Sequence, residues 1–387
     1  MTKKTTILSI AIAIVMALSL FMFTACDLFD LGDYPPTSPP VTQPPVVTPP
    51  EPGAPHRVLQ QTERGTQFEG GLRVTFINVG QGDAAVVEFP EGQRMLIDAG
   101  RWNLTHNRFR TDLRTFFPAG ETMQFDWVIF THSHADHIGS GAYVVNNSYI
   151  QNIIRPITFT ADEIANEVYT YFDIPLGEAR YHRSGSTVGA SPVTFNNLIT
   201  AMNSATWHDG TDTNIDIPRA GTYFYIGESA ATRARITMHS PTTHNYGGGT
   251  GRNKPNINIY STIFCITFNG RTILFTGDAY VVNEERVLAN LPQNIDILDA
   301  GHHGSNTSTG QALLDRTTPT YTVIQVGDPV GHVNGNTGNS YGHPHVPVLA
   351  RLQAANSTVL QTNVHCHIVI DISPNGQNMR IVTANPR

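Results

Sequence analysis

Short apolar runs broken by glycine and proline dominate the chain after residue 70, and their spacing is that of strands more than of long helices. Leu72 to Val79 (LRVTFINV) and Ala84 to Phe89 (AAVVEF) read as two strands joined by a Gly80-Gln81-Gly82-Asp83 turn. Pro90-Glu91-Gly92 then turns the chain into a third strand, Arg94 to Asp98, so the pattern predicts a β-meander. Asp126 to Thr131 (DWVIFT) reads as another short buried strand, followed by helical spacing over Ile138 to Asn146. Residues 155–235 alternate helical stretches (ADEIANEVYTYF, PVTFNNLITAM) with polar loops and contain no internal repeat. They either shape a cleft or pack as a plain insert. Ile257 to Phe268 and Thr272 to Thr276 form a hairpin through Asn269-Gly270, a pair suited to the positive φ values of a two-residue turn. A helix near Val281 to Leu291 and a buried strand over Ile295 to Ala300 follow.

The front of the chain has a different grammar. Lys3-Lys4, the apolar run Ile7 to Phe23 and then Thr24-Ala25-Cys26 have the three parts of a secretory signal. Cys26 directly after Ala25 resembles a bacterial lipobox, with Phe23 in place of the usual leucine, and would become the lipidated N-terminus. An uncleaved anchor is the alternative, and either form tethers the protein to a membrane. Tyr34 to Pro55 is mostly Pro, Thr and Val, which builds no core and runs as an extended spacer of roughly 60 Å. The expected organisation is a signal peptide over 1–25, a lipid-anchored Pro-rich linker over 26–69 and one folded domain over 70–387. The protein is expected in the cell membrane, facing its extracytoplasmic side.

Composition narrows the function. Thirty-three Gly, 25 Pro and 14% charged residues suit a strand-and-loop fold. The formal charge of −7 becomes −9 once Lys3 and Lys4 leave with the signal, and no basic patch suggests a stable nucleic-acid complex. Of the three cysteines, Cys265 and Cys366 lie in apolar runs as small buried residues, with a disulfide between them as the alternative. Nothing in the sequence states an oligomeric state.

Thr131-His132-Ser133-His134-Ala135-Asp136-His137 crowds three imidazoles and a carboxylate into a strand-to-helix turn, more metal-ligand capacity than packing needs. In an extended segment alternate side chains share a side, so His132, His134 and Asp136 can converge while His137 faces a second ion. Asp278 follows the second hairpin strand, and His302-His303 follow the next one. Adjacent side chains at a strand end point to opposite sides, which favours His303 as a ligand and leaves His302 to orient one or to touch substrate.

These blocks resemble a known family. His132-x-His134-x-Asp136-His137 looks like the signature of the metallo-β-lactamase superfamily. Asn78-Val79-Gly80-Gln81-Gly82-Asp83, Leu96 to Gly100, Phe275 to Asp278, His302 to Ser305 and Tyr341-Gly342-His343-Pro344-His345 make the likeness strongest to the hydrolase domain that ends ComEC-type competence proteins. The resemblance implies an α+β fold, the four-layer αββα sandwich, with two divalent ions. His132, His134 and a later histidine would hold the first, Asp136, His137 and another histidine the second, and Asp278 would bridge them. Asp83, Asp98 and Ser305 would support the site without binding metal. The lone ligand histidine that many members carry ahead of the bridging Asp is missing, for that region reads Arg252 to Asn256. A ligand from the His343-Pro344-His345 block is expected instead, with His239 and His244 as rivals. Zinc suits the nitrogen-rich set, with manganese as the alternative. The implied reaction is attack of a metal-activated hydroxide on a phosphodiester, in extracellular DNA or a wall polymer such as a teichoic-acid phosphorylcholine ester, with Asp136 catalytic and His343 or His345 as general acid. A β-lactamase, or a non-catalytic metal- or substrate-binding lipoprotein, is the alternative.

Overall fold

The computed structural model describes residues 66–102, 108–157, 159–160, 187–188, 192–242, 257–328 and 339–383, all within a unit spanning Glu51–Arg387. Cys26, the signal and almost all of the linker lie outside the described residues, as do the helical stretch expected over 161–172 and His244.

The meander appears as β1 (Leu72–Phe76), β2 (Ala85–Glu88) and β3 (Arg94–Ile97), antiparallel in sequence order. β4 (Met123–Ile129) and β5 (Ser148–Ile154) extend the sheet in parallel beyond β3. A two-stranded pair, β6 (Phe159–Thr160) and β7 (Thr187–Val188), stands apart, and β8 (Asn214–Asp216) closes the parallel edge. The second sheet is built from β9 (Tyr223–Ile226), β10 (Ala234–Met238), β11 (Phe264–Phe268), β12 (Arg271–Phe275), β13 (Ile297–Asp299), β14 (Tyr321–Ile324) and β15 (Thr358–Gln361). β12 to β15 are mutually parallel, and β11 and β12 are the hairpin expected through Asn269-Gly270. β16 (Ile368–Ile372) and β17 (Met379–Thr383) return to the first sheet beside β1.

Strand periodicity explains the layering. Leu72, Val74, Phe76, Ala85 and Val87 face Phe264, Phe268, Ile273 and Phe275 across the gap between the sheets. Phe275 stacks on Phe264 with centroids 5.0 Å apart and reaches across to Phe76 at 5.9 Å. The neighbouring positions face outward: Val86, Leu96 and Val128 pack beneath helices α1 (Arg108–Arg114), α3 (Gly141–Asn146) and α4 (Pro192–Met202). Between α1 and α3 lies the single turn α2 (Ala135–Ile138). On the other side, Leu274, Leu298 and Ile324 pack beneath α5 (Val281–Val287), α6 (Gln311–Thr317) and α7 (Val346–Ala354). The fold is therefore an α+β sandwich, helices outside two sheets, with a short final turn α8 (Thr362–His365). Among the described residues, no helix is long and apolar enough to cross a membrane.

Two local expectations need correction. Ile257–Tyr260 is a 3-10 turn, and the strand begins only at Phe264. The apolar alternation is present, but the backbone groups of this stretch are used elsewhere: the Ile259 carbonyl accepts from the Asn283 amide, and Thr262 N–H donates to the Thr131 carbonyl at 3.0 Å. The helix expected over Ile138 to Asn146 is split at Gly139-Ser140. A Cβ on Gly139 would lie 2.2 Å from the Trp102 nitrogen, so the break sits where a neighbouring loop presses on the chain. Cys265 is buried as the sequence favours, Cys366 is half-buried, and no disulfide joins them.

Candidate metal centre

The cluster lies where the C-terminal ends of parallel strands from both sheets meet, the usual site-building edge of such sheets. β3 delivers Asp98, β4 delivers His132 to His137, β12 delivers Asp278, and β13 delivers His302-His303. His134 is still extended (φ −75°, ψ 152°), and the chain turns helical at Ala135. His132 and His134 therefore share one side, while Asp136 leaves the extended alternation and joins His137 on the other.

Asp278 stands between the two groups and is buried. Its Oδ2 lies 3.4 Å from His132 Nε2 and 3.6 Å from His302 Nε2, and His132 Nε2 lies 3.0 Å from His134 Nδ1. Its Oδ1 lies 3.1 Å from His137 Nε2 and 3.8 Å from His303 Nε2, which is itself 3.4 Å from Asp136 Oδ2. One carboxylate thus divides its oxygens between two sets of nitrogens. Residues 77–162 match the family model of the metallo-beta-lactamase superfamily. The chain contains a metallo-β-lactamase superfamily domain.

ComE operon protein 3 of Bacillus subtilis is 23% identical over 303 residues, 75% of this chain and 32% of that protein. Recombination protein 2 of Haemophilus influenzae is 34% identical over 107 residues, 28% of this chain and 12% of that protein. The chain therefore spans about a third of the first relative and about an eighth of the second. The metallo-beta-lactamase fold protein YhfI from Bacillus subtilis aligns over 78% of this chain and 99% of its own at 10% identity, with a TM-score of 0.41.

Whether the superfamily cluster suits a metal is tested by its unpaired atoms. His137 Nε2, His303 Nε2 and Asp278 Oδ1 are all buried and all lack a hydrogen-bond partner, although buried polar atoms are nearly always paired. All three point inward, toward one another. The outward nitrogens, by contrast, are held: His137 Nδ1 by Asp98 Oδ2 at 2.8 Å, and His303 Nδ1 by the Gln325 carbonyl at 2.9 Å, with the charge of Asp83 3.1 Å away through an Oδ1 that has no hydrogen-bond partner of its own. Oriented imidazoles backed by carboxylates and carbonyls are what a metal site needs, so the residues fit a divalent ion. Asp98 and Asp83 thus support histidines, while Asp83 also comes within reach of the cluster's inner atoms.

Charge follows the same division. Burial works against ionised Asp278, yet His137, His303 and His132 hold it well below the usual carboxylate range. Burial also opposes charge on His137 and His303, but Asp278 and Asp83 hold both rings well above the ordinary imidazole value. Burial and then His132 lower His134 to about 4. The protons on His137 and His303 must leave before their Nε2 atoms can take an ion, so metal binding tightens as pH rises.

The doublet does not behave as a strand end. His302 and His303 both have positive φ (52° and 56°), so the chain curls and both Nε2 atoms reach Asp278. His302 Nε2 and His132 Nε2 thus face the same oxygen of Asp278, Oδ2. Thr307 Oγ1 contacts His302 Nδ1 at 3.0 Å and bonds Ser305 Oγ at 3.0 Å, which places Ser305 behind His302. His343 stands at the rim, where Gln81 Nε2 meets its Nδ1 at 3.3 Å. His345 is not among the residues lining the cleft: its Nδ1 accepts the Asn306 N–H at 3.0 Å and its Nε2 faces the Tyr341 carbonyl at 3.3 Å. Both nitrogens serve the loop. His239 points to Cys265 Sγ at 3.3 Å and lies outside the cluster.

Sequence reasoning missed Gln81, Gln325 and Arg101. Gln325 ties the sheets together, accepting Ala84 N–H at 2.9 Å and donating to Asp299 Oδ2 at 3.0 Å. Arg101 lines the cleft of about 300 Å³ over the cluster, with Gln81, Tyr341 and His343. A buried glutamine at the end of an apolar strand, and an arginine directly after Asp98-Ala99-Gly100, were the available signals.

Proposed function

We propose that this cleft hydrolyses phosphodiesters with two divalent ions. His132, His134, His302 and one oxygen of Asp278 would hold the first, and Asp136, His137, His303 and the other oxygen of Asp278 the second. Zinc suits these nitrogens, with manganese as the alternative. When bound, such ions bring the pKa of a coordinated water down to about 7 and draw charge from phosphoryl oxygens.

The observation that carries the substrate class is the polar, cationic wall of the cleft. Arg101 is exposed at its mouth beside His134 and Asp136, and the lining carries no aliphatic side chain larger than Ala135. A strained amide would favour an apolar wall, whereas a guanidinium matches two phosphoryl oxygens at once. Burial and then His303 and His302 lower His343 to about 4, so its ring is neutral near pH 7. Gly327 N–H donates to Gln81 Oε1, which fixes the Gln81 amide as the donor to His343 Nδ1. The His343 proton then sits on Nε2, where it can donate a hydrogen bond to a phosphoryl or leaving oxygen. Tyr341 stacks on the same ring with centroids 5.6 Å apart and limits its rotation.

The expected result is turnover of bis(p-nitrophenyl) phosphate by the metal-loaded protein and poor turnover of a chromogenic cephalosporin. His343→Gln should lower kcat by about 10²-fold with little change in KM. Efficient cephalosporin hydrolysis with no phosphodiester cleavage under zinc, manganese or cobalt would reverse the assignment.

Extracytoplasmic tethering through Cys26 is part of this reading and rests on the N-terminal sequence. Cys26→Ser should abolish lipid labelling and leave an unprocessed precursor. Normal processing of that variant would remove the lipid anchor from the proposal.

A further inference from the structure

A second, larger hollow of about 740 Å³ lies beside the metal cleft, between α3 and α4. The two are joined by adjacent residues: Arg101 lines the metal cleft and Trp102 lines the hollow. The backbone here is fixed, because Ser140 N–H bonds the Ala99 carbonyl and Gly139 leaves room for the Trp102 nitrogen that no other residue would leave.

Trp102 is 41% exposed, unusual for an indole in a wall of the fold. Its ring is nevertheless held, since the Arg110 guanidinium lies 4.0 Å from its centroid and 4.1 Å from that of Tyr143. Arg110 is thus sandwiched between two rings and stiffens the platform. The rest of the lining mixes amides and hydroxyls with the small aliphatic side chains Ala142, Val193 and Ala201. Asn146 and Asn197 line it, both exposed, and among the described residues neither side-chain amide has a hydrogen-bond partner.

We propose that this hollow is a saccharide subsite that holds an N-acetylated sugar of a phosphate-containing polymer, with the sugar face on Trp102 and its acetamido and hydroxyl groups on Asn146 and Asn197. A flat, rigid apolar ring flanked by uncommitted amides matches the C–H face and the polar edge of a pyranose, and each amide offers both a donor and an acceptor. A single-stranded nucleic acid would also stack on an indole, but it needs cations tracking its backbone. The only cation lining this hollow among the described residues is Arg110, which is committed to its two rings. The placement next to a scissile phosphate rests on the phosphodiester reading, whereas sugar binding does not.

The test is calorimetric titration of the full chain with the tetramer of N-acetylglucosamine and, separately, with a 20-nucleotide oligodeoxythymidylate. The saccharide should bind, and its affinity should fall at least tenfold in Trp102→Ala and in the exposed double variant Asn146→Ala/Asn197→Ala, with thermal melts showing both variants folded. No saccharide binding, or equal binding by wild type and the double variant, overturns the subsite. Trp102-dependent binding of the oligonucleotide in place of the saccharide also overturns it and assigns the hollow to nucleic acid. Bis(p-nitrophenyl) phosphate turnover is measured on the same wild-type sample. Saccharide binding without turnover would sink the phosphodiester reading and leave the subsite standing.

Discussion

Asp278→Asn should empty both halves of the cluster and lower phosphodiester turnover by more than the roughly 10²–10³-fold that loss of one transition-state hydrogen-bond donor costs. The substitution keeps the shape and removes the charge. In the native chain one oxygen lies near His132 and His302 and the other near His137 and His303, and among the described residues Asp278 is the one shared by both candidate groups. His132→Ala is the control, because it removes a nitrogen from one set alone and should leave the Asp136, His137 and His303 group able to retain its ion. Elemental analysis of both variants after identical metal loading separates the cases. A fully loaded Asp278→Asn chain turning over at the wild-type rate would remove Asp278 from the centre.

The difference between what sequence disclosed and what it hid is a matter of range. His132, His134, Asp136 and His137 were legible because one turn carries them all, and Asp278 because a strand followed by Gly-Asp places a carboxylate at a sheet edge. The meander and the Asn269-Gly270 hairpin were legible because period two and turn chemistry are local signals. Gln325 was not, since its partner Ala84 lies 241 positions away and nothing near either residue announces the pairing. The convergence of His302 with His303 was hidden for a different reason. Strand alternation predicts opposite directions, and only the left-handed backbone of both residues brings the rings to one carboxylate. At Ile257–Tyr260 the apolar pattern is the same in a strand and in the observed turn, and bonding to Thr131 and α5 decides between them. The groove beside Trp102 needs α3 and α4 side by side, a packing relation that no local pattern encodes.

Asp98→Asn should weaken metal binding by about 10–100-fold while leaving the metal-free fold at least as stable near pH 7. Asp98 is fully buried and accepts three hydrogen bonds: from Thr131 N–H at 2.8 Å, from Thr131 Oγ1 at 2.6 Å and from His137 Nδ1–H at 2.8 Å. Asparagine can still accept the backbone bond through its oxygen, but its NH₂ would then face His137 Nδ1. That donor forces the His137 proton onto Nε2, the atom that must be bare to take an ion. Stability moves the other way. Burial raises the Asp98 pKa on folding, and the neighbouring His137 offsets this only in part. A carboxyl whose folded pKa is raised favours the folded state less as pH rises through the interval between its unfolded and folded values, so ionised Asp98 is a cost to the metal-free protein at neutral pH. The neutral amide does not carry that cost. If Asp98 merely capped the turn after β3, the same variant would melt earlier without metal and bind metal normally once folded. Thermal melts of the metal-free chains, set beside metal titrations of the folded ones, decide between a turn residue and one that holds His137 in its binding tautomer.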